Sequence, residues 1–422
     1  MADASMDDAI QKETRAILEG CTLCGRCVEV CPIVPHTAAS GTDPKLVIGG
    51  VLDLLRGNEG NAAAAAWVEA CAGSGVCIKA CPEPVNPRRM MELARYSKNR
   101  RTGGGNFAGY FKSMGETTKV VAGLQVDSEG MKRLTGRQDV RKERAQVVFW
   151  IGCNLPRTSH LVLTLEDIFT TLEVDCEVVG GLNNCCGIVH FWAGDSKTRM
   201  KIATNLKRNL DGFEPEVVLS WCPSCQVQYD EHLTRFLEFS YPVEHVSKYL
   251  VDHLELFEGK WAKRIEKRVA MHEHHGLEGA AQNIRKLVEA IPGITVVDVD
   301  QLADYGYMCS RLTYAPAAKA AAQKRILEAA SAARVDVLVT PYHSCQRDLC
   351  VEERNYPFEV KNFVTLLGEA LGIGEYEDKY KEFRLLGDSE RIIQNARPFM
   401  EANRLDDESV RRVIDREFLK KP

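Results

Sequence analysis

The chain has 422 residues, 45% of them hydrophobic and 27% charged, which is enough for two or three domains, each with its own core. Its net charge of −5 gives no electrostatic basis for binding nucleic acid, and no apolar run is long enough to predict a membrane-spanning helix. The acidic start of the chain lacks the pattern of a signal peptide, so we expect a cytoplasmic protein.

Cysteine is the unusual residue type, with 16 copies that mostly stand in clustered pairs. In an exported protein such pairs would indicate disulfides. Because nothing here indicates export, the C-x-x-C spacings favour metal binding in a reducing compartment.

Residues 1–100 are predicted to form a helical ferredoxin-type domain with seven cysteines in two groups. The first group, Cys21, Cys24, Cys27 and Cys31, is followed by Pro32 and has the spacing C-x2-C-x2-C-x3-C-P. This spacing is typical of proteins with two iron–sulfur clusters, in which the fourth cysteine of each group ligates the other cluster. A zinc ion bound by these thiolates is the alternative.

The second group contains Cys71, Cys77 and Cys81, with Ser74 where a further cysteine is expected. The crossed pattern assigns the seven thiolates to two clusters: Cys21, Cys24, Cys27 and Cys81 to a [4Fe–4S] cluster, and Cys31, Cys71 and Cys77 to a second cluster. The second cluster is then either a [3Fe–4S] cluster or a [4Fe–4S] cluster with an oxygen ligand such as Ser74. We favour three irons because no other thiolate is available, and the motif resembles the three-iron motif of succinate dehydrogenase and fumarate reductase iron–sulfur subunits.

Residues 101–145 are basic and glycine-containing, which predicts a linker. From residue 146 onward, short β-branched runs alternate with helical stretches, a pattern that indicates α/β units with parallel sheets. The predicted fold class is therefore α+β multidomain, with the helical ferredoxin-type domain first and the α/β region after it.

The α/β region contains an internal repeat. Cys153, Cys186 and Cys225 are matched by His275, Cys309 and Cys345 at separations of 122, 123 and 120 residues. This regular separation predicts a duplicated domain, with copies at 146–262 and 263–375. Residues 376–422 are predicted as a charged helical tail that either docks a partner or lies solvated on the surface.

The first copy carries a second set of cysteines, each expected just after a predicted strand: Cys153, Cys185, Cys186, Cys222 and Cys225. Because the carboxyl ends of parallel strands meet at one edge of a sheet, we expect these five thiolates to converge. We favour an iron–sulfur cluster as the group that these five thiolates bind, since a structural zinc ion needs only four donors. Zinc and a disulfide remain the alternatives.

The spacing C-x31-C-C-G-x34-C-P-x-C resembles the CCG motif of the heterodisulfide reductase family, whose five cysteines bind a non-cubane [4Fe–4S] cluster. The order of domains is similar to that of the D-type chain of heterodisulfide reductase. It is also similar to the iron–sulfur subunits of glycolate oxidase and of anaerobic glycerol-3-phosphate dehydrogenase. The resemblance implies a third cluster at the five cysteines. It also implies electron transfer between a partner flavoprotein dehydrogenase and a quinone, an electron-transfer flavoprotein or a similar carrier.

In the second copy the five positions read His275, Met308, Cys309, Tyr342 and Cys345. His275, Cys309 and Cys345 are candidates for a lone metal ion, with His272, His274 and His343 close by as further imidazoles, and a relic domain without metal is the alternative. Members of the resembled family cleave heterodisulfides with a cluster in each copy. The degenerate copy therefore favours an electron-transfer subunit over the alternative, a disulfide or heterodisulfide reductase acting at the CCG cluster. No dinucleotide-binding glycine motif follows a strand, so we expect the flavin on another subunit.

Overall fold

The computed structural model describes residues 6–104, 107–136, 144–374 and 376–419. Helices dominate its N-terminal part, and two four-stranded parallel sheets follow. This confirms the predicted α+β multidomain fold class. None of the helices in these ranges combines the length and the apolar composition that a bilayer-spanning segment requires.

The N-terminal region packs its helices around a core that includes Val51, Trp67 and Leu93. Asp43, Asn61 and Asn86 cap three of these helices by accepting hydrogen bonds from backbone amides. Ser5, a plausible N-cap of the first helix from its sequence, lies outside the described residues. The helices are α1 (Met6–Gly20), α2 (Arg26–Glu29), α3 (Pro44–Leu55), α4 (Ala62–Ala70), α5 (Val76–Ala80) and α6 (Pro87–Thr102).

Two further helices, α7 (Phe107–Gly123) and α8 (Ser128–Thr135), lie in the segment predicted as a linker. Asp127 caps α8 by accepting a hydrogen bond from the Gly130 amide at 2.8 Å. Val121 and Leu124, at the end of α7 and just after it, are fully buried against the C-terminal helices. One packing partner of α7 thus comes more than 250 residues later in the chain, and another is the turn Leu155–Thr158, where Arg157 donates to Thr118 Oγ1 at 3.1 Å. No local pattern reveals either partner.

The first repeat contains a parallel sheet in the order β2-β1-β3-β4. All six residues of β1 are buried, as expected for a central strand with helices on both faces. The strands are β1 (Val147–Gly152), β2 (Cys176–Gly180), β3 (Val217–Ser220) and β4 (Val243–His245). The helices are α9 (Ser159–Thr171), α10 (Ile188–Trp192), α11 (Ser196–Asp211), α12 (Pro223–Glu231) and α13 (Val246–Asp252).

The second repeat has a parallel sheet of the same topology, in the order β6-β5-β7-β8. Val147 pairs with Val217 in the first sheet, and Val269 pairs with Val337 in the second. The duplication predicted from the cysteine spacing is therefore a duplication of the fold. The strands are β5 (Lys267–Met271), β6 (Ile294–Val297), β7 (Val337–Thr340) and β8 (Glu359–Asn362), and the helices are α14 (Ala280–Glu289), α15 (Pro316–Ala332), α16 (His343–Leu349) and α17 (Phe363–Leu371).

The two repeats pack directly against each other. Trp221, after β3, stacks on Phe363 of α17 with ring centroids 5.7 Å apart. The same indole donates a hydrogen bond from Nε1 to His343 Nδ1 at 3.0 Å. Trp221 and His343 follow the equivalent strands β3 and β7, and Phe363 follows β8, so the carboxyl edges of the two sheets lie close together.

The C-terminal region forms α18 (Lys379–Leu386), α19 (Ser389–Ala402) and α20 (Asp407–Glu417). The sequence makes Asp388 and Asp406 plausible helix starts, and both are confirmed, because they cap α19 and α20. Phe383, Ile392 and Ile414 are buried in a cluster shared with α7. The tail is thus anchored along one face to the segment that precedes the first repeat.

Candidate iron–sulfur centres

The first pocket is lined by Cys21, Cys24, Cys27 and Cys81, although Cys81 is 54 residues from its nearest partner in sequence. Cys21 directly follows α1, Cys27 lies in α2, and Cys81 directly follows α5. Gly25 has a φ of 81°, and a Cβ there would lie 2.7 Å from Pro44 Cβ. The loop can therefore wrap the pocket only because this position is glycine.

The four sulfurs of this pocket interact electrostatically. Burial raises the pKa of Cys27 to about 12, and the neighbouring Cys21, Cys24 and Cys81 raise it further. Four thiolates in one pocket repel one another and need a bound cation to offset that repulsion. The donor set of this pocket fits an iron–sulfur cluster, because thiolates are the ligands that such clusters require.

Cys31, Cys71 and Cys77 form the second group. Burial raises the pKa of Cys77 well above its usual value, and the charges of Cys71 and Cys31 act in the same direction. Trp67 Nε1 donates a hydrogen bond to Cys31 Sγ at 3.3 Å. Cys27 also contributes to the pKa of Cys77, so the two ferredoxin-type groups are neighbours.

Ser74 lies between Gly73 and Gly75, both of which have positive φ angles. The loop around it has the same left-handed entry to a short helix as the loop around Cys24, with Gly25 and Gly75 in equivalent positions. Among the described residues, the thiols that interact in this second group are those of Cys31, Cys71 and Cys77. The site therefore fits a cluster with three thiolate ligands.

The five cysteines of the first repeat meet at the carboxyl edge of its sheet. Cys153 follows β1, Cys185 and Cys186 follow β2, Cys222 follows β3, and Cys225 lies in α12. Their thiols form a connected set: Cys185 Sγ lies 3.6 Å from Cys153 Sγ, and Cys225 interacts with both Cys186 and Cys222. Four of the five are buried, and Cys153 is half-buried.

Glycines give the sulfurs of this site their space. Gly152 has a φ of 69°, and a Cβ at this position would lie 3.1 Å from Cys225 Sγ. Gly187 also has a positive φ, and its amide donates to Cys185 Sγ at 3.4 Å. The turn before the cysteine pair is held by Trp150 Nε1, which donates to the Asn184 carbonyl at 2.8 Å.

A buried cation stands beside the five sulfurs. Arg199 of α11 is fully buried, and none of its guanidinium nitrogens has a hydrogen-bond partner among the described residues. Burial lowers the pKa of Arg199 to about 10, whereas the Cys186 thiolate favours its charged form. Its Cζ lies 4.4 Å from the centroid of the Phe191 ring. A buried guanidinium without hydrogen-bond partners is still costly unless a negative charge offsets it, so the pocket fits a bound anionic cluster.

Two family models match this chain: a 4Fe-4S dicluster domain over residues 20–86 and a cysteine-rich CCG domain over residues 147–230. Similar proteins include the D-type chains of the dihydromethanophenazine:CoB–CoM heterodisulfide reductases of Methanosarcina acetivorans and Methanosarcina mazei. They are 22% and 23% identical, and each alignment covers 84% of this chain and 94% of the relative. The chain is an iron–sulfur protein related to these heterodisulfide reductase chains.

The CCG model ends before the second repeat of this heterodisulfide reductase-like protein. In the second repeat, the structure places His275 apart from Cys309 and Cys345, although the regular repeat separation selected all three as candidate metal ligands. His275 is partly exposed, with Nδ1 3.0 Å from an Asp304 carboxylate oxygen and Nε2 3.3 Å from one of Glu273. Cys309 and Cys345 are buried together, away from His275.

Two histidines that the repeat alignment did not select accompany these cysteines: His272 and His274. They continue the line of β5 at positions i and i+2, which places both side chains on the same side of the strand. That alternation was the available sequence signal. The constant spacing pointed instead to His275, the next residue.

Proposed function

We propose that this chain is an iron–sulfur electron-transfer subunit. It carries electrons between a partner flavoprotein dehydrogenase and a quinone, an electron-transfer flavoprotein or a similar carrier. The observation that carries this proposal is the serial arrangement of the three cysteine groups, with one buried tyrosine in contact with both the second group and the CCG site.

That residue is Tyr307, which is fully buried. Its ring packs so closely on Gly73, in the Cys71–Cys77 loop, that no Cβ would fit there. Its hydroxyl lies 3.3 Å from Ser224 Oγ, between Cys222 and Cys225 in sequence. The loops of the second group and of the CCG site are therefore separated by a single side chain.

Two arginines fix this junction. Arg88 donates from Nη1 to the carbonyls of Gly73 and Gly276, at 3.2 Å and 2.6 Å. Arg311 donates from Nη2 to the Cys71 carbonyl at 2.9 Å. Both arginines thus hold the ferredoxin-type loop against the second repeat, which keeps the cysteine groups at a constant separation.

The proposed ligands are the following. A [4Fe–4S] cluster binds Cys21, Cys24, Cys27 and Cys81; a [3Fe–4S] cluster, or a [4Fe–4S] cluster with Ser74, binds Cys31, Cys71 and Cys77; a non-cubane [4Fe–4S] cluster binds Cys153, Cys185, Cys186, Cys222 and Cys225. When bound, these groups supply one-electron redox chemistry. The protein's residues hold them, exclude water and offset their charge.

The first group also offers a place for exchange with a partner. Cys24 is exposed, and its neighbour Leu23 is 41% exposed. Leu46, at the start of the helix on which this loop packs, is 63% exposed. A thiolate ligand surrounded by exposed apolar side chains suits contact with a second redox protein.

Disulfide or heterodisulfide reduction at the CCG site is the second candidate, favoured by the names of the similar proteins. Assay of the purified chain with reduced viologen and a mixed disulfide separates the two. A chain that only transfers electrons gives no disulfide turnover, while its reduced clusters are reoxidised by a soluble quinone. Disulfide turnover that is lost in Cys225→Ala would replace the proposal with the reductase.

A further inference from the structure

The second repeat contains a buried set of four metal-binding side chains: His272, His274, Cys309 and Cys345. One ligand atom from each lies within 4.8 Å of all the others. The most exposed member, His272, is 5% exposed. These residues occupy the carboxyl edge of the second sheet, the place that the five cysteines occupy in the first.

We propose that these four side chains bind one Zn²⁺ ion in a closed tetrahedral site that stabilises the second repeat. Neither repeat motif assigns this site, and it is independent of the electron-transfer function proposed above. Two thiolates and two imidazoles are a common donor set for structural zinc. Hard cations such as Mg²⁺ and Ca²⁺ are excluded because they need oxygen ligands.

The distances fit a single ion. His272 Nε2 lies 3.1 Å from Cys309 Sγ, and His274 Nε2 lies 3.5 Å from the same sulfur. Zinc bonds of about 2.3 Å to sulfur and about 2.0 Å to nitrogen place these atoms about 3.5 Å apart in a tetrahedron. The separations of Cys309 Sγ from both imidazole nitrogens are therefore close to those expected for ligands of one shared metal ion.

A two-iron cluster with two histidines and two cysteines is the obvious competitor. In that arrangement the histidines bind one iron and the cysteines bind the other. Nitrogen and sulfur ligands of different irons do not come this close together. The observed contacts between Cys309 Sγ and both imidazoles therefore favour one metal ion.

The surrounding structure holds the four donors in place. The His272 amide donates to the Val339 carbonyl at 2.8 Å, which ties this histidine to the neighbouring strand β7. The His274 ring packs between His272 and Tyr342, with centroid distances of 4.7 Å and 6.4 Å. Cys309 begins a 3₁₀ helix, and Cys345 lies in the first turn of α16. Zinc would therefore connect three segments that are distant in sequence.

The binding reaction is a proton–metal exchange with no change of oxidation state. Two Zn–S and two Zn–N bonds form, and the thiol protons of Cys309 and Cys345 leave to solvent. The resulting site is neutral, since two thiolates balance the charge of Zn²⁺. Burial of a neutral site in the apolar interior carries a small electrostatic cost.

The test is the zinc content of the full-length protein, purified anaerobically with zinc present and dialysed against a weak chelator. We expect one zinc per chain. In His274→Ala the zinc content should fall at least tenfold, with iron content and cluster spectra unchanged. His275→Ala is the matched control, because this neighbouring histidine lies outside the set, and it should keep its zinc.

Zinc X-ray absorption of the wild-type protein provides a readout that does not depend on a variant folding. We expect two sulfur ligands at about 2.3 Å and two nitrogen ligands at about 2.0 Å. Zinc-free protein, a zinc shell of sulfur alone, iron in place of zinc, or loss of zinc in His275→Ala would overturn the proposal.

Discussion

The two repeats share one fold and differ in their donors. Both sheets are parallel and have the same strand order, and in both the reactive side chains lie at the carboxyl edge. The first repeat presents five cysteines there, and the second presents two cysteines and two histidines. Topology thus determines where ligands meet, and residue type determines what they bind.

The difference extends to the neighbouring helices. Next to the five cysteines, α11 buries the guanidinium of Arg199, which lies over the Phe191 ring and has no hydrogen-bond partner within the described part of the chain. The helix at the same place in the second repeat, α15, buries Ala318, Ala322 and Ala330. An iron–sulfur core with five thiolates carries net negative charge, whereas two thiolates neutralise one zinc ion. The buried cation beside the first site therefore suits the cluster proposed there.

The largest expected effect comes from replacing the cysteine at the same position of each repeat by alanine, in two separate variants. Cys186→Ala should remove the CCG cluster, a loss of about four iron atoms per chain. Cys309→Ala, at the matching position, should leave the iron content unchanged and lose zinc. Iron and zinc analysis of both variants checks this. Equal iron loss in the two would contradict the difference between the repeats.

In the ferredoxin-type region, too, the number of thiolate ligands is expected to determine the type of cluster that is bound. Ser74→Cys supplies the missing thiolate of the second group. We expect the iron content to rise by about one atom per chain and the electron paramagnetic resonance of a three-iron cluster to disappear. Ser224→Cys, near the CCG site, is the control. An unchanged spectrum in Ser74→Cys would mean that the second cluster already has four irons.

A smaller effect is expected from Arg199→Met, which removes the buried positive charge but keeps much of the side-chain volume. The reduced, more negative form of the CCG cluster then loses stabilisation. Its reduction potential should fall by an amount on the order of 100 mV. Arg199→Lys should restore part of the difference, and zinc content should not change. A potential unaffected in Arg199→Met would contradict the role given to this charge.

The smallest effect concerns the link between the repeats and the tail. Glu417 Oε1 of α20 lies 3.2 Å from Arg157 of the first repeat and 3.8 Å from Arg347 of the second. Glu417→Gln should lower the free energy of unfolding by about 1–2 kcal/mol, because two partly buried arginines lose their counter-charge. Thermal unfolding measures this, and Glu408→Gln on the exposed side of α20 is the control.

The pH dependence of this link has a defined sign. Burial opposes ionisation of Glu417, but Arg157 and Arg347 hold the pKa of the carboxyl below its usual value of 4.5. A carboxyl with a lowered folded-state pKa stabilises the fold above pH 4.5, and this contribution is lost as pH falls below that value. The difference between wild type and Glu417→Gln should therefore shrink in acid. A difference that grows would contradict the pairing.

Much of the fold was predictable because its signals are local. The β-branched runs of β1 and β3 and the capping aspartates Asp388 and Asp406 are short patterns with direct structural consequences. Helix α7 was not predictable, because it packs on segments that are distant in sequence, including the tail helices. Local composition therefore indicated a linker.

The candidate sites show the same division. Spacing alone indicated which cysteines gather at the first repeat, since each follows a strand of one parallel sheet. In the second repeat, the backbone path from the carboxyl end of β5 through the following turn determines which histidine side chains point into the protein interior. His272 and His274 lie in the interior, and His275 turns outward to Glu273 and Asp304.

The most direct test of electron transfer is a redox titration of the anaerobically purified chain, followed by electron paramagnetic resonance. We expect separate one-electron transitions from the ferredoxin-type clusters and from the CCG cluster, the last absent in Cys186→Ala. A colourless protein that binds zinc alone and shows no redox transition would contradict it.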